Sequence, residues 1–179
     1  HAPLQSGADS VLKRMGRHWY TASSYAHAVE RLGRQVDGLA LGADLISGFP
    51  GESDADHQTT VAFLRTLPFT YFHVFPYSPR PGTAAERLAG AVPPAVENER
   101  ARELRALGDH VALEHRTRRL GQPCDLVVMG GGPRREGLTE DYLTVDVDPS
   151  VPRGTRCRAT IAGTPARLLG VPHEPIIRP

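Results

Sequence analysis

The feature that most constrains the fold is a nearly continuous apolar run at residues 39–46 that leads into a glycine- and proline-rich segment, residues 48–52. An uninterrupted apolar run predicts a parallel strand covered on both faces. Ser53 or Asp54 can then begin a helix, and residues 69–75 form the next extended run. Strand, loop, helix and strand in this order predict a βα unit with a parallel sheet.

The rest of the pattern divides the chain in two. Ser23 or Ser24 begins a predicted helix to about residue 35, and Pro93-Pro94 opens a long charged helix to about residue 119. Short extended segments then alternate with turn residues such as 130–133; these segments are 125–129, 142–147, 156–161 and 166–169. This spacing predicts a small β-barrel in a second domain, residues 121–179, after an α/β domain at residues 1–120.

The α/β part is too short for a complete barrel. It offers two clear strands and a possible third at residues 2–5. A closed (β/α)8 barrel needs roughly 200 residues or more. We therefore expect residues 1–120 to be only part of such a barrel.

Composition limits the classes of function. The 179 residues carry a net charge of +1, and Lys13 is the single lysine among 21 basic residues. A GC-rich coding sequence is the simpler explanation of this bias. Arginine also suits phosphate binding and base stacking, so an RNA partner remains an alternative. No run approaches the roughly 18 apolar residues of a membrane span, which predicts no membrane partner and a cytoplasmic location. Cys124 and Cys157 have no metal-binding spacing.

The end of the first strand carries candidate binding groups. Asp44 lies within the apolar run, where a carboxylate is costly unless it is paired or binds a ligand. Strand alternation puts Asp44, Ile46 and Gly48 on one face. The glycines of residues 48–52 allow close approach of a ligand, and the following helix favours an anion. A tight turn that needs Gly and Pro is the alternative.

Two further segments end in the same way. In the second strand the alternation groups Tyr71, His73, Phe75 and Tyr77, which can stack on an adenine or an RNA base; a core histidine among aromatic residues is the alternative. Arg80 in the following proline-rich loop can clamp an anion. Near the N-terminus, Gln5 and Ser6 can hydrogen-bond a ligand at the same rim.

Taken together, the three stretches resemble the radical S-adenosylmethionine methylthiotransferases, which insert a methylthio group into tRNA or a ribosomal protein. Residues 1–9 (HAPLQSGAD), 44–53 (DLISGFPGES) and 73–83 (HVFPYSPRPGT) match the family patterns HxPLQSGSD, GFPGET and YSPRPGT. The departures are Ala8 for Ser, Ser47 for an aliphatic residue and Ser53 for Thr. The HVFPYSPRPGT form and the later GLTEDY (residues 137–142) look most like the subgroup acting on threonylcarbamoyladenosine in tRNA.

The resemblance implies a fold and a set of roles. The fold is an α/β class, the C-terminal part of a (β/α) radical-SAM barrel, followed by a small all-β, OB-like TRAM barrel that binds tRNA near the anticodon loop. The implied S-adenosylmethionine contacts are Gln5, Ser6, Asp44, Gly48, Phe49, Gly51 and Glu52. His73, Phe75 and Tyr77 are implied on the adenine or substrate side, with Arg80 and Thr83 meeting substrate or RNA.

The resemblance also implies partners that this chain cannot hold by itself. Members of the family carry four-iron four-sulfur clusters on cysteines, including a CxxxCxxC loop, and receive electrons from a donor such as a flavodoxin or ferredoxin. The two cysteines of this chain cannot supply those ligands. We therefore expect an enzyme whose cluster-binding part lies outside the chain, and a chain that is inactive by itself.

Other functions fit the same residues. The chain can be a non-catalytic RNA-binding module in which a barrel remnant carries the TRAM domain. It can also belong to a relative that modifies isopentenyladenosine or a ribosomal protein. A CxxxCxxC sequence upstream of His1 favours the enzyme over the binding module.

Overall fold

The structure, a computed structural model, describes residues 1–36, 38–129 and 135–175. In chain order the elements are α1 (Asp9–Arg14), α2 (Ala22–Gln35), β1 (Gly42–Ser47), α3 (Asp54–Leu64), β2 (Tyr71–Pro76), a short 3-10 helix (Ala84–Arg87), α4 (Pro94–Arg119), β3 (Pro123–Met129), β4 (Arg135–Thr139), β5 (Thr144–Val147), β6 (Arg156–Thr164) and β7 (Arg167–Pro175). The chain forms two units, His1–Val111 and Ala112–Pro179, and the division falls inside α4. The turn predicted at residues 130–133 lies outside the described residues.

Local side-chain hydrogen bonds set where α2 and α3 begin. Thr21 Oγ1 accepts the N–H of Ser24 at 3.1 Å, while Ser24 Oγ accepts the N–H of Thr21 at 2.9 Å. This reciprocal pair is a capping box, so Thr21 caps α2 in place of the predicted Ser23 or Ser24. Ser53 caps α3 through the same arrangement with Asp56, and here the predicted cap is confirmed.

The longest helix, α4, begins at Pro94, as predicted. Proline suits the first position of a helix because the N–H that it lacks has no partner there. With 26 residues α4 is long enough to span a bilayer, but charged residues occur throughout it. Within the described ranges, no helix combines the length and the apolar content that a membrane span requires.

The sheet of the first unit consists of β1 and β2, which pair in parallel as predicted. Gly42 lies opposite Tyr71 and Asp44 lies opposite His73. Both strands begin two or three residues later than residues 39 and 69, because the ladder starts only where Gly42 and Tyr71 become partners.

The predicted third strand at residues 2–5 runs beside β1 without becoming a full strand. The N–H of Ala2 donates to the carbonyl of Gly42, and the N–H of Gln5 donates to the carbonyl of Asp44, both at 2.8 Å. A single parallel bridge joins Gln5 to Leu45. Gln5 has φ 73°, a left-handed conformation that ends the extended path.

Strand alternation decides which side of this sheet is buried. Ala43 and Leu45 are fully buried, while Asp44 and Ile46, which alternate with them along β1, are half-buried. The core on the Leu45 side consists of Leu4, Val29, Leu41, Ala43, Leu45, Val61, Leu64, Leu67, Phe69 and Leu104. The opposite side carries Asp44 and His73 and is called the open face below.

The second unit contains a closed five-stranded barrel with the strand order β3-β4-β5-β7-β6, which confirms the predicted small β-barrel. All neighbouring pairs are antiparallel except β5 and β7. The interior is filled by Cys124, Leu126, Val128, Val145, Val147, Cys157, Ala159, Ile161 and Leu168. Small side chains and aliphatic side chains alternate with exposed residues, as a barrel of this size requires.

The sequence pattern missed one strand of the barrel and shortened another. β4 has no apolar alternation to reveal it, since its central inward position is Gly137. A Cβ on Gly137 would lie 2.4 Å from Leu126 Cδ1, so the close packing leaves room only for glycine. β7 extends to Pro175, well past the predicted end at residue 169, because it pairs with nearly the whole of β6.

Candidate functional site

The three stretches singled out in the sequence come together at the ends of neighbouring extended segments. Residues 1–5, β1 and β2 lie side by side in the first unit. Gln5 is the last paired residue of its segment, and Gly48 and Tyr77 directly follow the last paired residues of β1 and β2. In parallel α/β proteins, ligands bind at this carboxyl edge of the strands.

The loop after β1 is held by its own glutamate. Gly48 and Gly51 have φ values of 75° and 81°, which side chains other than glycine rarely adopt. The Glu52 carboxylate accepts the N–H of Gly48 at 2.8 Å. A Cβ on Gly48 would lie 2.5 Å from Glu97 Cγ, and one on Gly51 would lie 2.2 Å from the guanidinium of Arg14. Turn geometry and close packing therefore account for both glycines.

Arg100 of α4 completes this loop, and sequence reasoning did not identify it. Arg100 Nη1 donates to the carbonyl of Glu52 at 3.0 Å and to its carboxylate at 2.9 Å, and Nη2 donates to Asp54 Oδ1 at 2.6 Å. Burial opposes the charged form of Arg100, but its bonds to Asp54 and Glu52 raise the pKa of the guanidinium. The Glu52 carboxylate thus shapes the loop and is already paired.

Gln5 and Ser6 occupy the rim of the N-terminal segment and are both buried. Ser6 Oγ lies 3.1 Å from Thr60 Oγ1 and accepts the N–H of Ala8 at 3.2 Å. Ser6 therefore joins the start of α1 to α3. Within the described residues, no hydrogen bond is formed by the side-chain amide of Gln5, which leaves this group available to a ligand.

Asp44 has the partners that its position in an apolar strand demanded. Its Oδ1 lies 2.9 Å from His1 Nε2 and 3.3 Å from His73 Nδ1. The other ring nitrogen of His1 lies 3.1 Å from the hydroxyl of Tyr71. His1 belongs to the motif at residues 1–9. Its pairing with Asp44 depends on strand register, so no local sequence pattern could have predicted it.

The four side chains predicted to share one face of the second strand separate into two groups, and Tyr77 lies just past the end of β2. Tyr71, His73 and Phe75 follow one another along the open face, with neighbouring ring centroids 5.3 and 6.4 Å apart. His73 and Phe75 are more than half exposed, so the histidine is not a core residue. Tyr77 instead packs edge-on against Phe49 at 5.1 Å.

Tyr77 and Phe49 belong to a small apolar cluster beneath the loop. Phe49 is buried with Ala8 and Val11, and Tyr77 packs against them. The Tyr77 hydroxyl is buried, and the described residues provide no hydrogen-bond partner for it. A buried hydroxyl without a partner is unusual in a folded protein and marks a point where a ligand can donate or accept a hydrogen bond.

Arg80 and Thr83 lie in the exposed loop after β2. Thr83 Oγ1 donates to the carbonyl of Arg80 at 2.8 Å, and Glu86 accepts the N–H of Gly82 at 2.9 Å. These bonds lead the loop into the 3-10 helix. Neither Arg80 nor Thr83 touches the Asp44 cluster in any described contact.

The second unit holds a buried ionic network of its own. Asp141 Oδ2 lies 2.9 Å from His115 Nε2 and 2.8 Å from Arg119 Nε, and Thr139 Oγ1 also donates to the carboxylate. Burial alone would raise the pKa of Asp141, but the bonds from His115 and Thr139 and the charge of Arg119 lower it to about 2. This network joins the end of α4 to the barrel strands.

The two cysteines lie in the interior of the barrel. Cys124 and Cys157 are buried inside the barrel on adjacent strands. Burial raises the pKa of Cys124 to about 11 and also raises that of Cys157, so both thiols are protonated at neutral pH. Among the described residues, the one group with metal-ligand spacing is His1, Asp44 and His73.

Parallel strands that end at a glycine-rich loop, followed by a closed five-stranded barrel, define an α/β protein with an appended small β-barrel module. No protein-family model matches the chain. It is 40% identical over 139 residues to the tRNA-2-methylthio-N(6)-dimethylallyladenosine synthase of Parafrankia sp. (strain EAN1pec), covering 78% of this chain and 28% of the relative.

Two relatives carry a different substrate in their names. The threonylcarbamoyladenosine tRNA methylthiotransferase MtaB of Bacillus subtilis (strain 168) is 36% identical over 151 residues, which is 81% of this chain and 33% of the relative. The MtaB of Thermotoga maritima (strain ATCC 43589 / DSM 3109 / JCM 10099 / NBRC 100826 / MSB8) is 42% identical over 123 residues, 68% of this chain and 28% of the relative.

The chain therefore belongs to the tRNA methylthiotransferase family, which confirms the resemblance carried by its three motifs. It spans about a third of the length of these relatives or less. Relatives of both nucleoside types match it, so similarity does not distinguish between the two substrates.

Proposed function

We propose that this chain is the C-terminal portion of a tRNA methylthiotransferase that adds a methylthio group at C2 of N6-threonylcarbamoyladenosine-37 by radical S-adenosylmethionine chemistry. The observation that carries the proposal is the meeting of Gln5, Gly48 and Tyr77 at one strand edge of a chain homologous to these enzymes. Each of the three belongs to a different motif of the family. In this proposal the chain by itself is inactive.

The two units have separate roles in this proposal. Residues 1–120 form the last part of the radical-SAM barrel and face the cofactor and the modified adenine. Residues 121–179 form a TRAM barrel that holds the tRNA near its anticodon loop. Exposed Arg153 and Arg158, before and on β6, support this, since arginines on a small barrel can neutralise RNA phosphates.

The residues at the strand edge fit S-adenosylmethionine. The amide of Gln5 and the buried hydroxyl of Tyr77 offer hydrogen bonds that no described residue uses. Phe49 and Ile46 provide apolar surface beside Tyr77. When bound, S-adenosylmethionine supplies the hydrogen-abstracting group and the methyl group; this chain positions it through Gln5 and the loop that Glu52 holds.

The iron-sulfur clusters of such enzymes do not fit this chain. A four-iron cluster needs three or four thiolates, whereas Cys124 and Cys157 are the chain's two cysteines and lie buried and protonated in the barrel. In this proposal the cluster ligands and the docking site of an electron donor, a flavodoxin or ferredoxin, belong to the rest of the protein.

The open face supports the choice of a modified adenine as substrate. His73 and Phe75 expose aromatic surface next to the loop, and a base can stack on such a surface. Arg80 and Thr83, in the adjoining exposed loop, would meet the RNA. The choice of threonylcarbamoyladenosine rests on the HVFPYSPRPGT form of residues 73–83 and on GLTEDY at residues 137–142, because relatives of both nucleoside types match the chain.

Mass spectrometry of tRNA nucleosides tests the proposal. A strain lacking the gene is complemented with the full-length protein, and its tRNA is digested and analysed. We expect the methylthio derivative of threonylcarbamoyladenosine to disappear in the deletion strain and return on complementation. Return of the isopentenyladenosine derivative instead would assign the other substrate, and an unchanged tRNA profile would favour the RNA-binding module or a ribosomal-protein target.

A further inference from the structure

The open face carries a cluster of three potential metal ligands. His1 Nε2 and Asp44 Oδ1 are 2.9 Å apart, and Asp44 Oδ1 and His73 Nδ1 are 3.3 Å apart. All three ligand atoms lie within 4.8 Å of one another. The three side chains are 33%, 28% and 57% exposed, so the cluster is open to solvent on one side.

Backbone hydrogen bonds place these groups side by side, two of them on paired strands and the third on the segment that runs beside β1. Asp44 and His73 are direct partners in the parallel ladder of β1 and β2. His1 precedes Ala2, whose N–H is bonded to the carbonyl of Gly42, so its side chain lies at the same level of the sheet. Three adjacent extended segments thus fix the cluster, and rigid elements of this kind support accurate ligand geometry.

A second layer of contacts orients His1. Its Nδ1 lies 3.1 Å from the Tyr71 hydroxyl, which leaves Nε2 directed at Asp44. Tyr71 in turn lies across Gly42, where a Cβ would be 1.9 Å from the ring. Histidines that bind metals usually have their second ring nitrogen held in this way.

The geometry points to a site for a divalent transition-metal ion of the Zn²⁺ type, bound by His1 Nε2, Asp44 Oδ1 and His73 Nδ1. In a tetrahedral site, ligand atoms about 2.0–2.2 Å from Zn²⁺ lie about 3.3–3.6 Å apart. The separation of 3.3 Å between Asp44 and His73 matches this range, and the 2.9 Å between His1 and Asp44 would have to widen by a few tenths of an ångström when the metal binds. Two imidazoles and one carboxylate are a donor set suited to Zn²⁺, Co²⁺ or Fe²⁺. With three protein ligands, the exposed side keeps a coordination position for water or for an oxygen or nitrogen atom of a bound molecule.

This site shares Asp44 and His73 with the surface that the proposed function assigns to the cofactor and the modified adenine, and it adds a metal-binding property that methylthiolation does not require. The competing explanation is a purely hydrogen-bonded His-Asp-His group, in which Asp44 accepts from both rings. The two explanations differ in metal affinity, because hydrogen bonds alone give no saturable binding of Zn²⁺.

Calorimetric titration of the 179-residue chain with Zn²⁺ tests the site. The protein carries no histidine tag, is stripped with a chelator, and has other residues placed ahead of His1 so that no free α-amino group lies beside the ring. We expect one Zn²⁺ per chain and a metal-dependent rise in melting temperature. Co²⁺ should compete for the same site and give a visible absorption band typical of nitrogen ligation.

Variants identify the ligands. Asp44→Asn, which keeps the shape of the side chain, and His73→Ala should weaken Zn²⁺ binding at least about 100-fold, and Tyr71→Phe about 10-fold. His18→Ala and His27→Ala remove exposed histidines elsewhere and should leave the affinity unchanged. Circular dichroism of the metal-free variants verifies their folding, and Asp44→Asn remains informative if His73→Ala does not fold. Absence of saturable binding in the parent chain, or equal affinity in Asp44→Asn, would overturn the assignment.

Discussion

Arg100 Nη1 lies 2.9 Å from Glu52 Oε2, and the two side chains are 7% and 2% exposed. Arg100 belongs to the middle of α4, whereas Glu52 ends the loop after β1. The same carboxylate accepts the N–H of Gly48. One buried ion pair therefore connects the longest helix of the chain to the loop that we propose as part of the cofactor site.

We expect Arg100→Met to destabilise the first unit by about 3 kcal/mol, because it leaves the buried charge of Glu52 without its partner. Urea unfolding followed by fluorescence of the single tryptophan, Trp19, measures this. Arg102→Met is the matched control, since Arg102 is 80% exposed and its contact with Glu99 spans 3.9 Å. Equal effects of the two substitutions would show that the buried pair does not support the loop.

Gly48→Ala should lower the free energy of unfolding by more than Gly16→Ala, at which the unfavourable φ is the sole penalty. Gly48 and Gly16 share a φ of 75°, but a Cβ on Gly48 meets Glu97 whereas one on Gly16 has nothing within 4 Å. Each alanine should lose about 1–2 kcal/mol for the left-handed backbone. We expect at least about 1 kcal/mol of additional loss at position 48 from the crowding, measured by urea unfolding. Equal losses of stability at the two positions would mean that Glu97 of α4 moves away from the new Cβ at no cost in free energy.

The Asp141 network should make the stability of the barrel depend on pH. The pKa of Asp141 is lowered to about 2 in the folded chain from its ordinary value of 3.8, so the stabilisation is fully present above about pH 5 and is lost as the pH falls towards 2. The loss should approach about 2 kcal/mol. Asp141→Asn should remove this pH dependence of stability. Asp148 is exposed, so in Asp148→Asn the barrel core should still lose stability at low pH.

Hydrogen exchange of the barrel amides between pH 3 and pH 6 measures the opening free energy of this unit alone. After correction for the intrinsic pH dependence of exchange, the parent chain should lose protection at the acid end relative to Asp141→Asn. Parallel profiles for the two proteins would contradict the role given to this carboxylate.

Both cysteines should resist thiol reagents in the native chain. With a pKa of about 11, roughly a thousandth of the Cys124 thiol is ionised at pH 8, and Cys157 is equally buried. We expect labelling of both only after unfolding in denaturant, which serves as the positive control. Rapid labelling of either cysteine in the folded chain would show that the barrel interior is accessible.

Local patterns predicted the elements whose signals lie close together in sequence. Ser53 and Asp56 are three residues apart, so the start of α3 could be identified, and alternation in β1 correctly separated Asp44 from Leu45. β4 escaped detection because Gly137 occupies its inward position. A barrel strand that lacks a side chain where the interior is narrow has no apolar period to recognise.

The groups that complete the candidate site come from distant parts of the chain. Arg100 and Glu52 are 48 positions apart, and His1 approaches Asp44 only through strand register. Single-sequence patterns contain no information about such pairs. The motif-level resemblance located Gln5, Asp44 and the loop, while the structure showed that Glu52 is already paired and that Gln5 keeps an unused amide.

Binding of S-adenosylmethionine to the full-length protein, with its clusters reconstituted, tests most directly whether this strand edge is the cofactor site. Gln5→Ala removes an amide that forms no described hydrogen bond, so it should leave folding intact while weakening binding at least about 10-fold. Arg80→Ala, in the exposed loop assigned to RNA, is the control and should bind as the parent does. A selective loss in Gln5→Ala is the predicted result; parent-like affinity in Gln5→Ala, measured by equilibrium dialysis, would contradict the account.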